Sequence, residues 1–141
     1  MEQRILIIED EEGIRETLQD ILEISGYTVL TSKDGVEGLH AITVFRPHIV
    51  LCDVNMPNLN GLEMLREMKR RSREDNGPVF IFLTARAEDS TTIEGLLLGA
   101  AAYITKPFDH LELLKILKSE MNKIQTELNE KKKEINNAKS A

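Results

Sequence analysis

Short apolar runs, each ending at a polar side chain, constrain the fold of this chain more than any other feature. The three clearest runs span residues 5–8, 49–52 and 79–83. A strand that is apolar at every position, rather than at alternate positions, has both faces covered, as in a parallel sheet between helices. Two weaker strands are predicted at residues 27–31 and 101–105. The chain is therefore expected to form a buried parallel sheet.

The segments between these runs carry apolar residues at helical spacing. Gly26 follows the first predicted helix as a C-terminal cap, Pro47 stops the second, and Asp109 with Glu112 begins the fifth in the manner of a capping box. The expected inward-facing positions of the second and fourth helices are Val36, Leu39, Ile42 and Thr43, and Ile93, Leu96 and Leu97. Five strand–helix units predict an α/β fold of the (βα)5 type, a five-stranded parallel, doubly wound sheet.

Composition and charge exclude several classes of protein. The formal charge of −6 argues against general nucleic-acid binding, so no nucleic-acid contact is expected from this chain. A single cysteine excludes a disulfide framework and fits a reducing, cytoplasmic compartment. The apolar runs are far shorter than the ~18 residues of a membrane helix, so no membrane contact is expected. No glycine-rich nucleotide motif is present.

The last twenty residues differ from the rest of the chain. They hold five lysines and three glutamates, a charge of +2, which leaves −8 for residues 1–121. We therefore predict a domain over 1–121 and a helical extension or coiled-coil linker over 122–141, with disorder beyond residue 136. Apolar residues three and four apart predict a homodimer through residues 114–135; the register is Leu114, Leu117, Met121, Ile124, Leu128, Lys131, Ile135 and Ala138.

Polar side chains follow four of the five predicted strands. Glu9 and Asp10 follow the first, Asp53 the third, Thr84 the fourth, and Lys106 comes just after the fifth. Because parallel strands end at the same edge of a sheet, these side chains are expected to converge where doubly wound sheets bind ligands. Crowded carboxylates require a proton or a cation, and hard oxygen ligands suit Mg²⁺.

This combination of acids, lysine and threonine predicts a Mg²⁺-assisted phosphoryl site. Asp53 is the best candidate nucleophile, because it stands alone at the end of the central apolar run. Any one aspartate after a strand is usually a turn or helix-cap residue. Complementary groups at four strand ends of one chain argue against that simpler interpretation.

Four stretches of the sequence together resemble the receiver domains of bacterial two-component response regulators, of the chemotaxis-regulator type. They are residues 5–11 (ILIIEDE), 53–62 (DVNMPNLNGL), 84–85 (TA) and 103–108 (YITKPF). The resemblance covers residues 1 to about 121. It implies a flavodoxin-like strand order of 2-1-3-4-5, with the C-terminal helix extended beyond the domain.

The resemblance also implies a role for each site residue. Asp53 would accept a phosphoryl group from a histidine kinase, a phosphotransfer protein or a small phosphodonor, and Thr84 would contact the phosphoryl group. Tyr103 would switch its rotamer with Thr84 and so change the surface of the fourth helix, fifth strand and fifth helix, which would contact a downstream partner or output domain. Lys106 would contact the phosphoryl oxygens, and the Mg²⁺ ligands would be Glu9, Asp10, Asp53 and the backbone carbonyl of Asn55.

Some positions depart from the family pattern or leave alternatives open. Glu9 stands where aspartate is commoner, and the residues before Tyr103 lack the acidic side chain often found there. Asn55 and Arg86 occupy positions that tune the lifetime of the phosphoryl group. A receiver turns over only its own acyl phosphate and is not an enzyme on an external substrate. The alternatives are a phosphorylation-independent dimerisation scaffold and a phosphatase of the haloacid dehalogenase kind.

Overall fold

Strands and helices alternate along the chain in a computed structural model, which describes residues 2–71, 77–85 and 90–140. The strands are β1 (Arg4–Ile8), β2 (Thr28–Ser32), β3 (Ile49–Asp53), β4 (Val79–Thr84) and β5 (Ala102–Thr105). The helices are α1 (Glu12–Ile24), α2 (Gly35–Phe45), α3 (Gly61–Arg71), α4 (Ser90–Leu97) and α5 (His110–Ser140).

All strand pairs are parallel, and the order in the sheet is β2-β1-β3-β4-β5. This confirms both the predicted fold class and the predicted order. The pairing places Ile8 beside Cys52, and Asp53 beside Leu83. Because the carboxyl ends of neighbouring strands are level, the residues that follow them share one edge of the sheet.

The two faces of the sheet bury separate clusters of side chains. On one face, alternate residues of β1, β3 and β4 pack against α2 and α3, with Phe80 and Phe82 meeting edge to face at 5.2 Å between ring centroids. On the other face, the intervening residues pack against Leu18 and Leu22 of α1 and against α5. This two-sided burial explains why the central strands are apolar throughout.

Helix ends follow local chemistry. Gly26 has φ +96°, which suits the turn after α1. The side chain of Asp34 accepts a hydrogen bond from the Glu37 backbone N–H at 2.8 Å and caps α2. The helix ends at Phe45, because Arg46 adopts a left-handed conformation with φ +52° ahead of Pro47.

Two of the predicted inward-facing sets are wrong in part. In α2, Val36 is 67% exposed and Thr43 is also exposed. In α4, Ile93 and Leu97 are 50% and 82% exposed. Instead, α4 faces the sheet through Gly95, where a Cβ atom would overlap the Phe82 ring. Helical spacing alone predicted the wrong face, since a glycine in contact with an aromatic ring carries no apolar signal.

Helix α5 buries one face along its first half and is exposed on all sides near its end. Leu113, Leu117 and Met121 are buried against the sheet, and every described residue from 131 onward is exposed. The helix continues to Ser140, although disorder was expected beyond residue 136. Among the described helices, none is both long and apolar enough to cross a membrane.

Candidate functional site

The carboxyl edge of the sheet brings together the side chains that the sequence placed there. Glu9, Asp10 and Asp53 each offer one carboxylate oxygen, and these oxygens lie within 4.8 Å of one another. Glu9 and Asp53 are buried, whereas Asp10 is exposed. Three acids at this spacing could hold one divalent cation through oxygen ligands.

Asp53 is held by groups on both sides of its carboxylate. The Asn55 backbone N–H donates to Oδ1 at 3.1 Å, and the Lys106 ammonium donates to Oδ2 at 3.1 Å. The residue itself is only 5% exposed. A buried carboxylate held in one orientation by two donors is positioned to act as a nucleophile.

Lys106 joins the two buried acids. Its Nζ lies 2.9 Å from Glu9 Oε1 as well as 3.1 Å from Asp53 Oδ2, and its side chain is 18% exposed. Burial alone would lower the pKa of Lys106, but the hydrogen bond to Glu9 and the charge of Asp53 outweigh burial and raise the pKa of the ammonium. The lysine therefore carries its positive charge within the cluster.

Glu9 is the member of the cluster with the greatest need for a cation. Its burial raises the pKa of the carboxyl well above the usual range; Asp53 adds to this rise, and Lys106 opposes it. Glu9 Oε2 is buried and has no hydrogen-bond partner among the described residues. A buried carboxylate oxygen without a partner, beside two other acids, fits a Mg²⁺ ligand set.

Arg15 also contributes to this edge, and it was not among the predicted site residues. Its guanidinium donates to the backbone carbonyl of Glu9 at 2.9 Å and approaches that of Asp10 at 3.4 Å. This contact fixes the turn that carries both acids. An arginine five residues after the acidic pair, in the first turn of the next helix, is the signal that could have indicated it.

Gly61 allows α3 to begin directly behind Asp53. Its N–H donates to the Val54 carbonyl at 3.0 Å, and a Cβ atom there would lie 2.8 Å from the Asp53 carbonyl oxygen. Asn60 and Glu63 then cap the helix reciprocally, with side-chain acceptors for each other's backbone N–H at 3.2 and 2.9 Å. The glycine of the 53–62 stretch is thus required by close packing against Asp53.

The remaining predicted site residues lie around this cluster. Thr84 ends β4 and is buried, and its carbonyl accepts a hydrogen bond from Lys106 N–H at 2.8 Å. Tyr103 pairs with Phe82 in the sheet and is 38% exposed. The Lys106–Pro107 peptide bond is cis. The side chain of Asn55 is exposed, and Arg86 lies outside the described residues.

Cys52 precedes Asp53 but is not available for thiol chemistry. It is fully buried, and burial, followed by the charges of Asp53 and Glu9, raises the pKa of its thiol well above the usual range. Since the thiolate is the reactive form, this cysteine acts as a small core residue.

Residues 5–118 match the response regulator receiver domain family. The chain belongs to this family. It is 40% identical over 127 residues to the response regulator MprA of Mycobacterium ulcerans, and 44% identical over 111 residues to MprA of Mycobacterium sp. strain KMS. These alignments cover 90% and 79% of this chain, and 53% and 47% of the relatives. The chain thus spans about half the length of the curated relatives it matches.

Solved structures agree with the assignment. A CheY-like receiver domain from Methanospirillum hungatei superimposes with a TM-score of 0.82 at 31% identity, covering 90% of this chain and 99% of that one. The chemotaxis protein CheY4 of Vibrio cholerae gives a TM-score of 0.78 at 29% identity, covering 84% and 98%. The protein is a receiver domain of a two-component response regulator, a signalling domain.

Proposed function

We propose that Asp53 accepts a phosphoryl group, with Mg²⁺ held by Glu9, Asp10, Asp53 and the backbone carbonyl of Asn55. The observation that carries this proposal is the convergence of three carboxylate oxygens within 4.8 Å of one another, beside an ammonium group that contacts two of the acids. When bound, Mg²⁺ offsets the negative charge of the acids and of the incoming phosphoryl group.

In the reaction, the phosphoryl group passes in line from a nitrogen or oxygen atom of the donor to an oxygen atom of Asp53. An Asp53 carboxylate oxygen forms the new P–O bond, while the bond from phosphorus to the donor breaks and the donor keeps the electron pair. Lys106 is close enough to Asp53 to contact the transferred oxygens, and the Thr84 hydroxyl can donate to another. These residues orient and neutralise, since phosphoryl transfer depends mainly on positioning and charge.

The phosphoryl donor is a histidine kinase or a phosphotransfer protein, and a small acyl phosphate can replace it in vitro. The similarity to full-length regulators named as response regulators supports this proposal. The output is a downstream protein, or an output domain in a longer chain. Turnover is limited to the protein's own acyl phosphate, so we do not assign an enzymatic activity on an external substrate.

The signal leaves through the surface of α4, β5 and α5. This surface carries exposed Ile93, Leu97, Tyr103 and Leu111, which a partner could cover. In the proposed switch, Thr84 moves towards the phosphoryl group and the Tyr103 ring turns inward into the vacated space. The Lys106→Ala variant should still be modified but should fail to shift the amide resonances around Tyr103. Unchanged resonances there in the activated wild type would contradict the switch.

Intact-mass spectrometry with acetyl phosphate and Mg²⁺ tests the phosphoacceptor proposal. The wild type should gain the mass of one phosphoryl group, and the Asp53→Asn variant should gain none. Chelation of Mg²⁺ with EDTA should abolish the gain. Failure of the wild type to react with Mg²⁺ present would favour the alternative of a phosphorylation-independent scaffold.

The phosphatase alternative and the homodimer through residues 114–135 are less well supported. A phosphatase of the haloacid dehalogenase kind needs a second acid two residues after its nucleophile, and Asn55 at that position cannot transfer a proton. A homodimer through residues 114–135 has little free apolar surface, because Leu117 and Met121 are buried in their own domain. Sedimentation of the chain with and without residues 122–141 tests the dimer; a monomer before truncation would refute it.

A further inference from the structure

A cleft of about 580 Å³ lies at the amino edge of the sheet, opposite the phosphoacceptor site. Residues at or just before the amino ends of β1, β3 and β4 line it, and the middle of α5 forms a wall. Strands of five residues separate the two edges by about 16 Å. The volume is within the range of roughly 300–1,000 Å³ that small-molecule sites occupy. None of the family's site residues lies in it.

One part of the cleft wall is apolar and joins the domain to the C-terminal helix. Ile42, Pro47 and Val79 contribute from the domain, and Ile124 and Leu128 contribute from α5. Ile124 also packs partly against the sheet core, so this part of the helix is held against the domain. A ligand with an apolar body could contact the domain and the helix at the same time.

Hydrogen bonds between side chains and the backbone hold the polar part of the lining in place. The Arg4 N–H donates to His48 Nδ1 at 3.0 Å, and the Arg4 Nε–H donates to the carbonyls of Phe45 and Arg46 at 3.1 and 2.9 Å. Because Nδ1 of His48 accepts a hydrogen bond, the neutral ring carries its proton on Nε2. Burial, assisted by Arg4, lowers the pKa of His48 and favours this neutral form. The ring therefore offers a fixed N–H donor.

The charges that line the cleft are opposite to the charge of the chain. Arg4, Arg46 and Lys131 are basic and Glu127 is acidic, an excess of two positive charges in a chain of net charge −6. Arg4 is held in place by its bonds to two carbonyls, so part of this positive charge is preorganised. The combination of fixed N–H donors, positive charge and an apolar wall matches one chemical class of ligand.

We propose that this cleft binds an organic carboxylate with an apolar body, which bridges the amino edge of the sheet and the middle of α5. The carboxylate accepts from Arg4 or Arg46 and from the His48 ring, and the apolar body lies against Ile124 and Leu128. Binding would hold the C-terminal helix to the domain at a site separate from Asp53.

Titration with decanoate, followed by amide resonances of the full chain below the micellar concentration, tests this site. Decanoate should produce saturable shifts at the cleft, and decyltrimethylammonium, which has the same chain and the opposite charge, should bind at least tenfold more weakly. Absence of saturable decanoate shifts would overturn the proposal. Equal binding of the two probes would overturn the assignment of a carboxylate.

Matched variants locate the site. Leu128→Asp should weaken decanoate binding at least tenfold, whereas Ile135→Asp, on an exposed part of the same helix, should leave it unchanged. Arg46→Gln should weaken binding severalfold, and Lys133→Gln should not. Circular dichroism confirms that each variant keeps its helix. If Leu128→Asp and Ile135→Asp bind decanoate equally well, the ligand lies elsewhere and the proposal is wrong.

Discussion

The two edges of the sheet differ in how fully their polar groups are paired. At the amino edge, backbone groups satisfy one another: His48 N–H donates to the Arg4 carbonyl and Val79 N–H donates to the His48 carbonyl, each at 2.9 Å. At the carboxyl edge, Glu9 and Asp53 are buried beside each other and share one lysine. One oxygen of Glu9 has no partner among the described residues.

This difference indicates what each edge contributes. Satisfied hydrogen bonds at the amino edge stabilise the fold without requiring a bound cation. Buried carboxylates at the carboxyl edge cost stability unless a cation accompanies them, so that edge depends on what it binds. The free energy of unfolding, measured with and without Mg²⁺, quantifies this difference between the two edges.

The largest expected effect is at the carboxyl edge, in the Lys106→Met variant. Removal of the ammonium leaves Glu9 and Asp53 buried without a compensating charge, so the free energy of unfolding should fall by roughly 3 kcal/mol in Mg²⁺-free buffer. Urea denaturation measures this loss, and saturating Mg²⁺ should recover part of it. Lys133→Met, at an exposed position on α5, is the control and should change little. Equal free energies of unfolding for the two variants would mean that Lys106 does not offset repulsion between Glu9 and Asp53.

A smaller effect is expected at the amino edge, in the His48→Ala variant. The Arg4 N–H loses its side-chain acceptor, so the free energy of unfolding should fall by about 1–2 kcal/mol. The same urea titration measures it, and the cost should be the same with and without Mg²⁺. A cost that disappeared on addition of Mg²⁺ would show that the two edges are coupled and would break the contrast.

The smallest expected change in the free energy of unfolding is an increase, in the Glu9→Gln variant. Glu9→Gln replaces a carboxyl whose ionised form is disfavoured by burial and by Asp53, as its raised pKa indicates, so the free energy of unfolding of the Mg²⁺-free protein should rise by about 1 kcal/mol. The same substitution should weaken Mg²⁺ binding, measured by calorimetry. Glu11→Gln, at a neighbouring exposed position, is the matched control. Destabilisation by Glu9→Gln without metal would show that Lys106 already compensates this charge fully.

Much of the fold and the positions of the site residues could be predicted from the sequence. Unbroken apolar runs indicate a covered parallel sheet, and the shared edge of parallel strands then places Glu9, Asp53 and Lys106 together. Contacts that depend on the rotation of a helix could not be predicted. Arg15 reaches the Glu9 carbonyl only because α1 starts at a particular angle, and α4 lies on Phe82 through a glycine.

The register of α5 shows the same limit. The spacing of Leu117, Met121 and Ile124 is equally consistent with a seam between two chains and with packing on one domain. The structure buries Leu117 and Met121 against the sheet, and only the tertiary fold distinguishes the two outcomes. Residues of the same apolar type serve either purpose, so the pattern alone carried no information on the partner.

Borohydride trapping after brief phosphorylation tests the central claim most directly. The protein is incubated with acetyl phosphate and Mg²⁺ and then reduced with borohydride, which converts an aspartyl phosphate into homoserine. Digestion and sequencing by mass spectrometry then locate the modified position. The account predicts homoserine at position 53 and unmodified acids at positions 9 and 10. Homoserine at another position, or none in a sample whose intact mass shows phosphorylation, would contradict the assignment of Asp53 as the acceptor.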